Sequence, residues 1–178
     1  MVMNTNNSRL YSLRAGIASD IPFAIAIWQT AIESSSNLNL PNSAIEQQVR
    51  ILHELIVPGA SGGFWVAETP DQIIGWQSLA PTNSNDSRYG HANVMSSTYI
   101  TRRSGDRDLG SKLVECAIQY ALSSDISLIF AYIAETNVAS QRLARLHGFK
   151  MLGTFPKISG WSDGEPLQYW FRPTTSET

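Results

Sequence analysis

The chain is poor in the residues on which several kinds of chemistry depend. It has one cysteine, Cys116, in 178 residues, which excludes an internal disulfide framework and any cysteine-cluster metal site. Cys116 falls on the inward stripe of a helix and reads as a small core residue rather than a nucleophile. Charge is also scarce. Asp, Glu, Lys and Arg make up 16% of the chain, and 13 basic against 15 acidic residues leave a formal charge of −2, with no basic excess to grip a nucleic-acid backbone. No apolar run approaches the roughly 18–20 residues of a membrane-spanning helix. The opening MVMNTNNSR lacks the hydrophobic core of a secretory signal. The expectation is a cytoplasmic protein with no metal, no membrane and no nucleic-acid partner.

What the chain does have is 43% hydrophobic residues over a length that suits one domain, residues 1–178, with residues 1–8 loose. Leu10–Leu13 reads as a short first strand. Ser19-Asp20-Ile21-Pro22 reads as a capped helix start, followed by Ile21, Ala24, Ile25, Trp28 and Ile32 at helical spacing. A second helix is expected over Asn42–Leu55, closed by Pro58–Gly63. Phe64–Glu68 and Ile73–Leu79 read as a hairpin, and Asn93–Thr101 as a third β run. A helix then starts near Leu109, followed by the apolar strand Ile126–Ile133 and a helix that Asn137 caps and that runs through Arg145. His147-Gly148 is its stop, before final strands Phe149–Thr154 and Leu167–Arg172. Early hairpins with a late β-α-β crossover mean a mixed sheet with helices on it, in the α+β or α/β class.

The informative stretch is Tyr99–Leu113, YITRRSGDRDLGSKL, a strand–turn–helix passage. Its turn lies at the carboxyl end of a parallel strand, where open sheets bind ligands. It offers backbone N–H groups from Arg107 to Ser111, the positive end of a helix dipole, and Arg102, Arg103, Arg107 and Lys112, a set suited to a pyrophosphate. It has neither the glycine–lysine–Ser/Thr signature of a P-loop nor the dinucleotide-binding glycine spacing. The plain alternative is a solvated basic face.

Residues Thr98–Leu113 align without gaps to V-Y-V-H-P-x-x-R-G-x-G-I-G-x-x-L. Thr136–Phe149, TNVASQRLARLHGF, aligns to E-N-x-A-S-x-x-L-H-E-x-L-G-F, with weaker matches at IWQTAIES (27–34) and GWQSLAP (75–81). In these patterns the chain resembles the Gcn5-related N-acetyltransferases, and within them the phosphinothricin-type enzymes. The resemblance implies a mostly antiparallel mixed sheet flanked by helices, with a β-α-β core that binds acetyl-CoA. It implies a pyrophosphate on the N–H groups of Arg107, Asp108, Leu109, Gly110 and Ser111. It also implies a pantetheine arm beside Thr98, Tyr99 and Ile100, with Asn137 touching the arm and Ser140 nearby. Asp108 stands where the family has its first signature glycine, and Gly105 where it has Arg or Gln.

The function implied is N-acetyl transfer from acetyl-CoA to the amine of a small molecule, by direct attack on the thioester. The similar enzymes use a central-strand glutamate as base, where this chain has Met95, and many use a tyrosine as acid, where it has Ala144. Neither can move a proton. Glu33 at a helix end and His91 before the central strand are the substitutes, each with the plainer reading of a solvated side chain. Trp28, Glu33, Trp76, Met95 and Trp161 are the expected acceptor pocket, with Arg88 or His91 the sole cationic groups for an acceptor carboxylate. The alternative is a non-catalytic acyl-CoA-binding or sensing protein on the same fold. A homodimer is expected by analogy alone.

Overall fold

A computed structural model of the chain describes residues 11–36, 40–82, 92–101, 108–156 and 165–174. In chain order the elements are β1 (Ser12–Ala15), α1 (Ile21–Ser36), α2 (Asn42–Leu55), β2 (Gly63–Glu68), β3 (Ile73–Pro81), β4 (Ala92–Ile100), α3 (Leu109–Leu122), β5 (Ile126–Ala134), α4 (Val138–Leu146), β6 (Lys150–Phe155) and β7 (Leu167–Pro173). The strands form one sheet in the order β1-β2-β3-β4-β5-β7-β6. Every neighbouring pair is antiparallel except β4 and β5, the two strands joined by the α3 crossover. The expected mixed, mostly antiparallel sheet is therefore present.

Strand alternation sorts the core onto two faces. Val66 and Trp76 point to α1 and α2, where they pack with Ile21, Ala24 and Leu52. Trp65, Leu79 and Val94 point to the other face, under Val114 and Ala117 of α3. Near the β2–β3 turn the register passes from Ala67↔Gly75 to Glu68↔Ile73, leaving Ile74 as an extra residue. This bulge sends Ile73 to the α1/α2 core and Ile74 to Leu109 and Leu113 of α3. Asn137 caps α4 by accepting the Ser140 N–H at 3.0 Å, and Gly148, at φ +76°, ends the helix in a conformation costly for other residues.

Two expectations need correction. The first strand is Ser12–Ala15, not Leu10–Leu13, because Ser12 pairs with Glu68 and Ala15 with Trp65. Asp20 does not serve as a simple helix cap. It is 5% exposed, and its carboxylate takes two bonds from Arg14, at 2.6 and 3.0 Å, and the Ile17 N–H at 2.9 Å. Arg14 also reaches Glu68 at 2.7 Å, so one guanidinium ties β1 to β2 and to the turn that launches α1.

The bonds from Arg14 hold the Asp20 carboxyl below its usual range, against the opposing effect of burial. We expect Asp20→Asn to cost about 2–3 kcal/mol in urea unfolding, less than a fully buried pair because the Arg14 side chain is 34% exposed. The folded value lies below the unfolded value of about 3.9, so this stabilisation is complete above the unfolded value. It is lost as the pH falls through the folded one, and Asp20→Asn should flatten the acid limb of the stability curve.

Candidate active site

The β4–β5 ladder stops early. Its last rung is Met95↔Phe130, although β4 continues to Ile100 and β5 to Ala134. Each strand stays bound to its outer neighbour, β4 to β3 as far as Ile100↔Gly75 and β5 to β7 as far as Ala134↔Leu167. Two parallel strands thus separate in the middle of a sheet, and a cavity of about 730 Å³ opens between them.

The main chain on both sides of this gap points into it. The Asn93 carbonyl accepts from Thr82 at 2.9 Å and the Thr101 N–H donates to Ile74 at 2.9 Å, so odd positions of β4 turn toward β3. Ser96, Thr98 and Ile100 consequently turn their N–H and C=O groups toward β5. On β5 the Ser127 carbonyl accepts from Thr174 and the Glu135 N–H donates to Pro166, both at 3.0 Å. Tyr132 and Ala134 therefore face β4. The gap is a slot edged by strand hydrogen-bonding groups without a strand partner.

Side chains complete the walls. Ala31 and Ile32 of α1 line the slot from one face, and Leu143, Ala144 and Phe149 from the other, so it passes through the sheet. Beside it, the fully buried Gln77 donates to the Ser96 hydroxyl at 2.8 Å and to the Ser78 carbonyl at 3.0 Å, and accepts from the Thr98 hydroxyl. Those bonds hold the hydroxyls of both slot-facing residues. Tyr99 lines the slot while its ring packs on Trp76 at 4.9 Å. Burial pushes its phenol pKa up, and a hydrogen bond from Trp28 opposes that.

The start of α3 abuts the open end. A Cβ on Gly110 would come within 3.1 Å of Ile100 Cδ1 and 3.4 Å of Leu143 Cδ2, so the helix enters close to both walls. The first bond of α3 is Lys112 N–H to the Asp108 carbonyl at 3.0 Å, which leaves the N–H groups of Leu109, Gly110 and Ser111 outside the helical ladder. Asp108 occupies the cap position with helical φ and ψ, and its side chain makes no capping bond. The Ser111 hydroxyl is 2.8 Å from His147 Nε2, and Arg172 donates to the His147 carbonyl at 2.9 Å.

The expected site residues scatter more than the sequence implied. Thr98, Tyr99, Ile100, Asn137 and Ser140 all line the slot; Asp108, Leu109, Gly110 and Ser111 do not, and form the cap and first turn of α3, where Gly110 lies against the slot walls Ile100 and Leu143. Asn137 spends its carbonyl oxygen on the α4 cap, which leaves its NH₂ for a ligand. Trp76 is a core residue and not a pocket wall: it is 0% exposed and its indole donates to the Ala24 carbonyl at 2.9 Å. Glu33 is exposed on α1 and lines neither the slot nor the cavity below it, since helical spacing turns Ala31 and Ile32 to the slot instead. Trp28 meets the site only through Tyr99, and Met95 lines a second cavity below the slot. Arg88, His91, Arg102, Arg103, Gly105, Arg107 and Trp161 lie outside the described residues. Cys116 is half-buried with its pKa raised by burial, as befits a packing residue.

Three slot features were missed. Gln77 lies within the weakly matching GWQSLAP stretch but as a single polar strand residue with no role attached, and Glu165 is a single polar loop residue. Glu165 lines the slot and accepts from the Thr136 hydroxyl at 3.0 Å, and it is the one carboxylate lining the slot among the described residues. Tyr132 was detectable, because Phe130 and Tyr132 alternate on β5 as Tyr169 and Phe171 do on β7.

With this geometry in view, the comparisons with known proteins are direct. The acetyltransferase (GNAT) domain model matches residues 19–161, and the chain belongs to that family. An N-acetyltransferase is the enzyme class that this membership supports. The fold is similar to that of ribosomal-protein-alanine N-acetyltransferase from Brucella melitensis, at 20% identity and TM-score 0.73 over 91% of this chain and 99% of that one. It is also similar to N-acetyltransferase from Staphylococcus aureus Mu50, at 17% identity and TM-score 0.78 over 93% and 99%. A third is the GNAT superfamily phosphinothricin acetyltransferase from Sinorhizobium meliloti in complex with acetyl-CoA, at 17% identity and TM-score 0.72 over 92% and 88%. At these identities the likeness is one of fold. No curated protein sequence is a match. No helix among the described residues is long and apolar enough to cross a membrane.

The His147–Ser111 contact yields a checkable titration. Burial is the main reason that the imidazole pKa falls below its usual value; Arg172 and Lys112 lower it further and Glu115 opposes them. We expect the His147 ring resonances to titrate below the ordinary value of about 6.5, and Glu115→Gln to move the midpoint lower still. A depressed folded value makes His147 contribute stability that is present above its unfolded pKa and lost as the pH falls through the folded one.

Proposed function

We propose that the protein is an acetyl-CoA-dependent N-acetyltransferase acting on the amine of a small molecule. The observation that carries this reading is the separation of β4 from β5 beyond Met95↔Phe130, with main-chain groups of both strands aimed into the gap. A thin, amide-rich pantetheine arm suits such a slot, because it can take up strand hydrogen bonds on Ser96, Thr98 and Ile100 and on Tyr132 and Ala134. The unladdered N–H groups of Leu109, Gly110 and Ser111 would take the pyrophosphate, helped by the dipole of α3. Bound there, acetyl-CoA supplies an acyl group activated as a thioester.

The protein's part is placement and proton handling. A slot-facing strand N–H would stabilise negative charge on the carbonyl oxygen as nitrogen attacks. The C–N bond forms as the C–S bond breaks. Of the two protons the ammonium gives up, one ends on sulfur and the other in water. Met95 and Ala144 transfer neither. Glu165 is the carboxylate on the slot wall available to draw the ammonium in and take its proton. The non-catalytic alternative is not favoured by the family membership.

Titration calorimetry with acetyl-CoA, together with thiol release over a panel of small amines, tests this reading; no binding and no release above hydrolysis would sink it. A sharper outcome concerns Asp108, which places a negative charge at the α3 entrance where the diphosphate would lie. We expect Asp108→Asn to tighten acetyl-CoA binding about three- to tenfold at low ionic strength, with the gain shrinking as salt is added.

A further inference from the structure

A second cavity, of about 840 Å³, lies on the α2 side of the sheet directly below the slot. Phe130, Tyr132 and Tyr169 wall it on the sheet side, Met95 closes its end, and Ile51 and Leu55 of α2 face them. The rings form one stack: Phe130 and Tyr169 lie 5.1 Å apart at 11°, and Tyr169 and Tyr132 lie 4.9 Å apart at 23°. Phe155 supports the stack edge-on, 6.1 Å from Tyr132 and 5.9 Å from Tyr169.

This stack does no work in the core. Phe130, Tyr132, Phe155, Tyr169 and Met95 belong to none of the buried clusters, and Tyr132 is 39% exposed. The rest of the lining is largely polar, from Gln47, Thr82 and Asn93, so the cavity joins one aromatic wall to several polar groups, a combination that small-molecule sites of such a volume use. The cavity also adjoins the slot. Tyr132 lines both cavities, and Met95↔Phe130 is at once the last rung of the ladder and part of the second cavity's wall. Tyr132 is thus a wall that the second cavity and the slot share.

We infer that the second cavity holds the acceptor, and that the acceptor is an aromatic primary amine whose ring lies against the Phe130–Tyr169–Tyr132 stack while its nitrogen enters the slot. This rests on the acetyl-transfer reading above. The ring wall suits a planar apolar body and gives a hydrocarbon chain no comparable edge or face partner. An ammonium passing Tyr132 gains from the negative ring face. The charged side chains at the cavity, Arg50 and Glu54, have opposite sign and lie one turn apart on α2. The wall as a whole therefore selects neither an anionic tail nor a polycation.

The test uses the full chain with acetyl-CoA and three probes: 2-phenylethylamine, n-hexylamine and methionine. Thiol release gives kcat/KM, and ligand-observed NMR gives binding without turnover. The expected result is a preference for 2-phenylethylamine of at least about tenfold over each of the others, a gap typical of aromatic contacts. Tyr169→Leu, which keeps an apolar side chain and removes the ring, should shrink that preference to about twofold, with thermal unfolding checking that the variant folds. Equal rates for phenylethylamine and hexylamine, or a preference for methionine, would overturn the inference and leave acetyl transfer standing. Tyr169-dependent binding of phenylethylamine without turnover of any probe would overturn the cavity as the acceptor site, and acetyl transfer as well only if calorimetry showed no acetyl-CoA binding. Phenylethylamine that neither binds nor reacts would overturn the inference outright.

Discussion

The separation of two parallel strands at Met95↔Phe130 is the constraint on which the remaining structure depends. A ladder abandoned in mid-sheet leaves backbone donors and acceptors unpaired on both strands, each of which would be expensive if sealed from water. The sheet sustains this because neither strand relies on the other. β4 is held by β3 to its end, and β5 by β7 to its end. The two halves of the sheet act as separate antiparallel units that share only the β4–β5 rungs below the gap, bridged above by the α3 crossover. Side chains from both faces keep the gap open: Ala31 and Ile32 on one side, Leu143 and Phe149 on the other.

Seen this way, the buried polar residues near the gap have a clear physical purpose. A glutamine at 0% exposure would ordinarily weaken a core, yet Gln77 meets partners on Ser78, Ser96 and Thr98. It keeps the hydroxyls of the two slot-facing β4 residues on the β3 side. The main chain of those residues, not their side chains, is then what the slot presents. Arg14 does a comparable task at the far edge, where Asp20 and Glu68 fix the short strand β1 and the launch of α1. Fixing that launch also places Ala31 and Ile32, two turns and more along α1, against the slot.

Much of the fold was legible because its signals are local. Helical spacing and stop residues placed α2 at Asn42–Leu55 and the start of α3 at Leu109, and Asn137 and Gly148 bracket α4 as a cap and a left-handed stop should. The first strand was misplaced because its register is set by pairing with Glu68 and Trp65, residues fifty or more positions away from their partners. The site was legible where it is made of backbone. A pattern of residue types locates the β4 end and the α3 entrance whatever side chains they bear. It was illegible where long-range packing decides. Trp76 and Met95 both sit on central strands with side chains toward α1 and α2, yet one is sealed beneath Ala24 and the other borders a cavity. Nothing local to either residue distinguishes those fates.

The same distinction bears on how a transferase can dispense with the acid and base that its relatives' patterns display. A thioester already contains an activated carbonyl and a leaving group stable as a thiolate, so the largest demands are holding the acyl group and stabilising charge on one oxygen. In the proposed reading strand and helix N–H groups would meet both demands, and they survive a change of side chain. General base catalysis typically adds a factor of about 10²–10⁴, which a slot-wall carboxylate such as Glu165, or water, can supply from more than one direction. The residue at position 95 is then released from proton transfer. Methionine there sits among the lining of the second cavity, paired across the ladder with the Phe130 of its ring wall. Position 144 is likewise released. Alanine, 7% exposed, leaves the slot its width where a tyrosine ring would fill it. Both departures from the family pattern change what the cavities can hold while leaving the backbone that would hold the thioester intact.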